Sequence, residues 1–233
     1  MTPRTKEQNE EIRLRRIREI LQAAAEVYLD KGILLEIRDV AAAAGLGYGT
    51  VYHYYNNKND LVSDMLYQAL ERAEELWVGE LSPDGRSDSG GMATASVGED
   101  RSPRGEERGS LRVMERLREA CSVLLHAWER DRALFLACYL GTDQYRMLQP
   151  ETAARLSPAY RSAVLLPLVS QVEAILVQEA AHTSNVQHRA EAERQGEWLL
   201  AALAACALPS IRRGALKGEM EELIRFAAGR GFV

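Results

Sequence analysis

Between Ile37 and Leu61 the sequence leaves little choice of local fold: IRDVAAAAGLGYGTVYHYYNNKNDL reads as two short helices joined by a glycine-bounded turn. Ile37, Val40, Ala41 and Ala44 put apolar groups on one side of a helix of about nine residues, which Gly45 can end in a left-handed conformation. Leu46 is expected to turn inward between two glycines. Gly47 is an acceptable, weak N-cap for a second helix running from Tyr48 to Tyr54 or Tyr55. On that helix Val51 and Tyr55 lie i to i+4 and can pack on the first, leaving Tyr48, Thr50, His53 and Tyr54 pointing elsewhere. Two readings are open at this level. One is an α-hairpin with an aromatic packing face; the other is a helix-turn-helix, whose second helix enters a DNA major groove. The side chains left over favour the second. Three tyrosines, a histidine and a threonine, followed by Asn56, Asn57 and Lys58, offer more hydroxyl and amide groups than packing needs, and such groups suit phosphate oxygens and base edges.

The same residues resemble the tetracycline-repressor (TetR) family of bacterial transcription regulators. The family pattern is a helix ending in Ala-Gly, a two-residue turn, then Gly-x-aliphatic-Tyr-x-aromatic-aromatic-x-x-Lys-x-x-Leu. Here it reads Ala44, Gly45, Leu46, Gly47, Tyr48, Gly49, Thr50, Val51, Tyr52, His53, Tyr54, Tyr55, Asn56, Asn57, Lys58, Asn59, Asp60 and Leu61. The resemblance covers about the first 65 residues. It departs from the pattern at Gly47, where members usually carry Ser or Thr, and at Glu36 and Ile37, where Thr is frequent. Losing the cap hydroxyl to glycine costs only a few tenths of a kcal/mol, so the helix survives while its first phosphate contact is put in doubt. The motif places Tyr54 and Lys58 at phosphates and Tyr48, Thr50 and His53 at base edges or the sugar-phosphate wall, with Arg38 nearby. Gly47, Gly49 and Tyr52 complete the expected DNA-binding set.

Charge bears on the mode of binding. The net charge is −5, but residues 1–60 carry nine Lys or Arg against nine Asp or Glu, leaving 20 against 25 for the remainder. The acidic excess lies outside the candidate DNA module, so binding depends on local geometry rather than bulk attraction. Cys121, Cys138 and Cys206 are odd in number and far apart, which implies no disulfide framework. No stretch of 18 apolar residues and no apolar leader occurs, so a cytoplasmic protein with no membrane partner is expected.

Around this module the chain reads as all-α. Residues 1–11 are polar and expected to fray, with Arg4 and Lys6 as a conceivable minor-groove arm. Arg13 to Lys31 is an amphipathic helix that Gly32 ends, completing a three-helix DNA-binding module over 1–60. A fourth helix, opening at Asn59 or Asp60 and occupying 61–81, connects it to the C-terminal part of the chain; in the family this helix sets the position of the reading head. Ser82 to Ser110 is rich in Gly, Ser, Asp, Glu, Arg and Pro, lacks aromatics, and reads as a disordered insertion. Residues 111–233 are expected to form a helical ligand-binding and dimerisation domain. Its helices are Leu111 to Trp128, Asp131 to Tyr139, a helix capped by Ser157 with Pro158 at its first position and kinked at Pro167, an alanine-rich helix that Pro209 and Gly214 end, and a last one from Leu216 to Ala227. Met147 to Arg155 is ambiguous.

No catalytic centre is legible: there is no nucleophile elbow, no paired Cys and His, and no phosphate cradle after a strand, so neither an enzyme nor a cofactor is expected. Cys121, His126 and Cys138 lack metal-ligand spacing. Trp128, Phe135, Tyr139, Tyr145, Met147 and Tyr160 could line a mostly apolar cavity or form plain core; the resemblance implies an inducer pocket for a small-molecule effector in this domain. The expected function is a ligand-responsive regulator, a repressor binding a palindromic double-stranded operator as a homodimer. The alternative is a helical module for a ligand or protein that has lost DNA reading, which Gly47 and the acidic balance would permit.

Overall fold

The computed structural model describes residues 5–80, 103–141, 145, 148–179 and 185–229, and those residues form helices without strands. The helices are α1 (Lys6–Lys31), α2 (Ile37–Ala43), α3 (Tyr48–Tyr54), α4 (Lys58–Glu80), α5 (Pro103–Arg130), α6 (Arg132–Gly141), α7 (Pro150–Tyr160), α8 (Leu166–Glu179), α9 (Asn185–Arg212) and α10 (Leu216–Gly229). They divide into two compact units, residues 1–71 with 128–160, and 72–127 with 161–233. None of the described helices is long and apolar enough to cross a membrane.

In the first unit α1 starts earlier than its periodicity suggests. Thr5 Oγ1 accepts from the Gln8 amide while the Thr5 amide donates to Gln8 Oε1, a reciprocal capping box that fixes Lys6 as the first helical residue. The expectation of fraying is therefore corrected for residues 5–11; Arg4 lies outside the described residues. Ile20, Leu21, Ala24, Tyr28 and Leu29 bury the inner face of α1. Gly32, at φ 59°, ends it as expected, and a single 3₁₀ turn over Gly32–Leu34 follows. Ile37, Val40 and Ala41 of α2 are buried, and Lys31 Nζ meets Asp39 Oδ1 at 2.8 Å, tying the end of α1 to α2. That contact is the first reason the Asp39 carboxyl titrates below its usual range; the Glu36 amide and Arg38 add to it.

The same unit contains α6, which packs against α1, so residues 128–160 belong with the N-terminal module and not with the rest of 111–233. Asp131 Oδ1 caps α6 by accepting from the Leu134 amide. Arg132 donates to the Trp128 carbonyl and approaches Glu26 of α1 at 4.0 Å. Two further expectations change here. Pro158 does not open a helix: it sits inside α7, with Ser157 Oγ donating to the Ala153 carbonyl, and Pro150 takes the first helical position instead. A π-helical stretch, Arg161–Leu165, then precedes α8, placed just before Pro167, where the α-helical ladder loses a donor.

In the second unit α5 begins at Pro103, so Pro103–Ser110 are helical and not part of a disordered insertion; the remaining residues of that expectation, 82–102, lie outside the described residues. The Pro103 ring is tolerated at a first helical position, and the Arg and Glu residues after it are good helix formers. Leu117, Ala120, Cys121, Leu124 and Leu125 are buried. The Trp77 indole donates to the Ala163 carbonyl at 2.9 Å. α8 and α9 pack closely where Gly196 meets Val169; a Cβ at Gly196 would lie 3.0 Å from Val169 Cγ2. α9 continues through Pro209 to Arg212, beyond the expected stop, and the chain reverses at Gly214, φ 66°. Glu219 of α10 latches that reversal, accepting from Ser210 and from Arg213.

Candidate nucleic-acid interface

The geometry of α2 and α3 follows from three local causes. Gly45 adopts φ 65°, which releases the chain from α2. Gly47 caps α3 through its extended backbone alone, φ −64° and ψ 141°, with no side-chain hydrogen bond. Val51, fully buried, and Tyr55, 7% exposed, then anchor α3. Burying a residue such as Val51 contributes about 1.5–3 kcal/mol, enough to seat so short a helix. The Tyr55 hydroxyl donates to Asp64 Oδ2 at 2.5 Å, and Gln68 donates to the same oxygen, so α3 is fastened to α4 as well. Burial first, then the Asp64 carboxylate, pushes the Tyr55 phenol far up and keeps it protonated.

Val51 and Tyr55 are turned inward, and the other residues of α3 are largely exposed. Tyr48 and Tyr52 are 54% and 45% exposed, and their rings stack on each other with centroids 5.6 Å apart. Gly49, Thr50 and His53 are exposed as well, and the His53 ring meets Tyr54 edge-on. A Cβ built on Gly49 would find no atom of the chain within 4 Å, so no neighbour demands glycine there. At Gly47 a Cβ would meet only Thr50 Oγ1, at 3.7 Å.

Two shallow grooves flank α3. One is lined by Glu36 and Arg38 of α2, Tyr48 and Tyr52 of α3, Asn56 and Lys58. The other lies between Asn9 and Arg13 of α1, His53 and Tyr54 of α3, and Asp64 of α4. Arg38, Tyr48, Tyr52 and Lys58 thus border one groove and His53 and Tyr54 the other, while Gly47, Gly49 and Thr50 are exposed. Two candidates carry local ties. Arg38 pairs with Glu36 at 2.9 Å, and Lys58 Nζ donates to the Ile33 carbonyl at 3.0 Å. Sequence alone does not single out Asn9 and Arg13, and no local signal could, because their proximity to α3 depends on how α1 crosses it.

The aromatic residues considered for an effector pocket pack on one another in the first unit. Trp128 and Phe135 are fully buried and meet edge to face at 5.4 Å, Phe135 stacks on Tyr139, and Tyr145 meets Tyr160 edge-on. The Tyr145 hydroxyl donates to the Ala137 carbonyl at 2.8 Å, and a Cβ at Gly141 would lie 2.5 Å from the Tyr160 ring. Met147 lies outside the described residues. Cys138 beneath Trp128 is wholly buried, which pushes its thiol up to about 12. Cys121 is likewise held near 12 by burial, and His126 Nδ1 sits 2.8 Å from the Ser122 carbonyl. Among the described residues no three His, Cys, Asp or Glu side chains gather as metal ligands.

Comparison with known proteins bears on this geometry. Residues 20–65 match the family model described as "Bacterial regulatory proteins, tetR family". Over 54 residues the chain is 35% identical to the HTH-type transcriptional repressor KstR2 of Mycolicibacterium smegmatis, a match that spans 23% of this chain and only 26% of that repressor's length. Among solved structures, a TetR-like transcriptional regulator from Rhodococcus sp. RHA1 aligns with a TM-score of 0.51 and 17% identity over 91% of this chain and 93% of that one. AibR in complex with isovaleryl coenzyme A and operator DNA aligns with a TM-score of 0.53 and 15% identity, over 91% and 97%.

Proposed function

We propose a function on the premise that the chain belongs to the tetR family of bacterial regulatory proteins: it is a ligand-responsive DNA-binding transcription regulator, a repressor that holds a palindromic operator as a homodimer. The observation that carries this reading is the exposure of α3. Tyr48, Gly49, Thr50, Tyr52 and His53 are exposed although the helix they belong to is firmly anchored by Val51 and Tyr55. Gly49 weakens α3 and relieves no crowding within the chain, so its use lies in letting another surface come close. The two grooves supply Arg38 on one side and Arg13 on the other as phosphate partners.

The dimer is proposed on α8 and α9. Trp198, Ala202, Ala205 and Pro209 are exposed at i, i+4, i+7 and i+11, an apolar stripe along α9 that a second copy would cover. Ala205→Arg is expected to give monomer in sedimentation. A small-molecule effector is supported by AibR, which binds an acyl thioester of coenzyme A as well as operator DNA. The binding reading is tested by selecting duplexes from a randomised library on the full-length protein. Enrichment of an inverted repeat with half-sites about 34 Å apart is expected, with affinity falling steeply with salt. Failure to enrich any sequence at low salt would leave the alternative of a helical ligand- or protein-binding module.

A further inference from the structure

Lys58 stands between two concavities of the first unit. Its side chain lines the groove beside Arg38, Tyr48 and Tyr52, and it also lines a separate cavity of about 350 Å3 bounded by the end of α1, the first turns of α4 and the start of α7. Tyr28, Leu35 and Val62 give this cavity buried, largely apolar surface, and Leu148 and Thr152 add to it from the α7 side. Burial pushes the Tyr28 phenol up, so it stays a neutral donor. Among the described lining residues Lys58 is the charged group and none is a carboxylate. One of the three ammonium donors goes to the Ile33 carbonyl.

We propose that this cavity binds a small organic anion, an aryl or alkyl carboxylate, with the carboxylate on Lys58 and the apolar body against Tyr28, Leu35 and Val62. The size falls within the range of small-molecule sites, and the combination of a mostly apolar lining with one charged anchor is what such sites use to orient a ligand. An ammonium facing a cavity gains a short, charge-assisted hydrogen bond when a carboxylate arrives. Inorganic phosphate offers the charge but leaves the apolar surface uncovered, and so binds more weakly. Because the same ammonium borders the groove beside α3, an anion that holds Lys58 in the cavity withdraws it from that groove and opposes DNA binding. By linkage the opposition is reciprocal. This coupling rests on the proposed function; the binding site does not.

Phenylacetate and its uncharged counterpart 2-phenylethanol test the proposal, titrated into the full-length protein without DNA and followed by the amide resonances of Gly32, Val62 and Thr152. Phenylacetate is expected to shift them with an affinity at least about tenfold above that of 2-phenylethanol or inorganic phosphate, the difference a charge-assisted contact supplies. Lys58→Met should remove the preference for the acid over the alcohol. Thr152→Trp, filling the cavity from a half-exposed helical position, should abolish binding of both while leaving the circular dichroism and duplex affinity of the protein unchanged. Equal binding of acid and alcohol by the unaltered protein, or binding of phenylacetate that Thr152→Trp does not diminish, overturns the site. Phenylacetate should then weaken binding of the selected duplex severalfold in the unaltered protein and not in Thr152→Trp; unchanged duplex affinity overturns the coupling. If no duplex is bound but phenylacetate binds as described, the proposed function fails and the site stands.

Discussion

Two stacked aromatic pairs in the same unit meet in nearly the same way and differ in what covers them. Tyr48 and Tyr52 on α3 stack with centroids 5.6 Å apart and planes at 30°; Phe135 and Tyr139 on α6 stack at 5.7 Å and 21°. Each pair is spaced i to i+4 on a helix. Phe135 is fully buried beneath Trp128, whereas Tyr48 and Tyr52 both stand in solvent. Ring geometry therefore does not distinguish buried core from exposed surface. What does is whether another element closes over the pair: α6 buries Phe135 and packs on α1, while α3 buries Val51 and Tyr55 and leaves Tyr48 and Tyr52 uncovered. On the proposed function, DNA is what covers the exposed pair.

Breaking the pair on α6 should have the largest effect. Phe135→Ala removes a ring with no exposure and is expected to cost about 3–5 kcal/mol, read as a shifted denaturation midpoint. Next comes Gly141→Ala, whose new Cβ would meet the buried Tyr160 ring at 2.5 Å; a loss of about 1–3 kcal/mol is expected. Adding Tyr160→Leu should recover part of that loss, and a purely additive result would show that the ring is not what the methyl meets. On the exposed helix the sign reverses. Gly49→Ala is expected to stabilise the protein by at most about 1 kcal/mol, since no neighbour is within 4 Å of the new Cβ, while weakening binding of the selected duplex.

The smallest effect is electrostatic. Asp39, with its folded pKa lowered chiefly by Lys31, contributes stability that is present above the unfolded carboxyl value and lost as pH falls through the folded one. The thermal midpoints of the unaltered protein and Asp39→Asn should accordingly differ at pH 6 and converge as pH drops below about 4. A difference that persists undiminished at pH 2 would mean the pair with Lys31 is not its source.

The sequence made the helix-turn-helix legible because every signal in it is local. Gly45 needs a positive φ, and Val51 and Tyr55 are spaced for one helical face, so neighbouring residues decide both the turn and the inward side. The same locality explains where the reading stopped. Ser157-Pro158 and Pro150 offer similar start signals, and only the packing of the first unit selects Pro150. That α6 packs on α1 depends on contacts more than 100 residues apart in the chain, such as Arg132 with Glu26, which no periodicity encodes. Aromatic content is alike in a core and in a ligand wall, so it did not reveal that Trp128, Phe135 and Tyr145 are buried. The capping of α1 by Thr5 and Gln8 was legible in principle, as a Thr-x-x-Gln motif, but its polar surroundings read as a frayed end.

On the proposed function, the exposed rings of α3 serve contact with DNA and not the fold. The double variant Tyr48→Ala with Tyr52→Ala tests it most directly, with unfolding free energy and affinity for the selected duplex measured on one preparation. Stability within about 0.5 kcal/mol of the unaltered protein is expected, as for surface substitutions away from packed features, with a duplex affinity at least about tenfold lower. Full duplex affinity in a stably folded double variant, or a loss of several kcal/mol of stability, would contradict it.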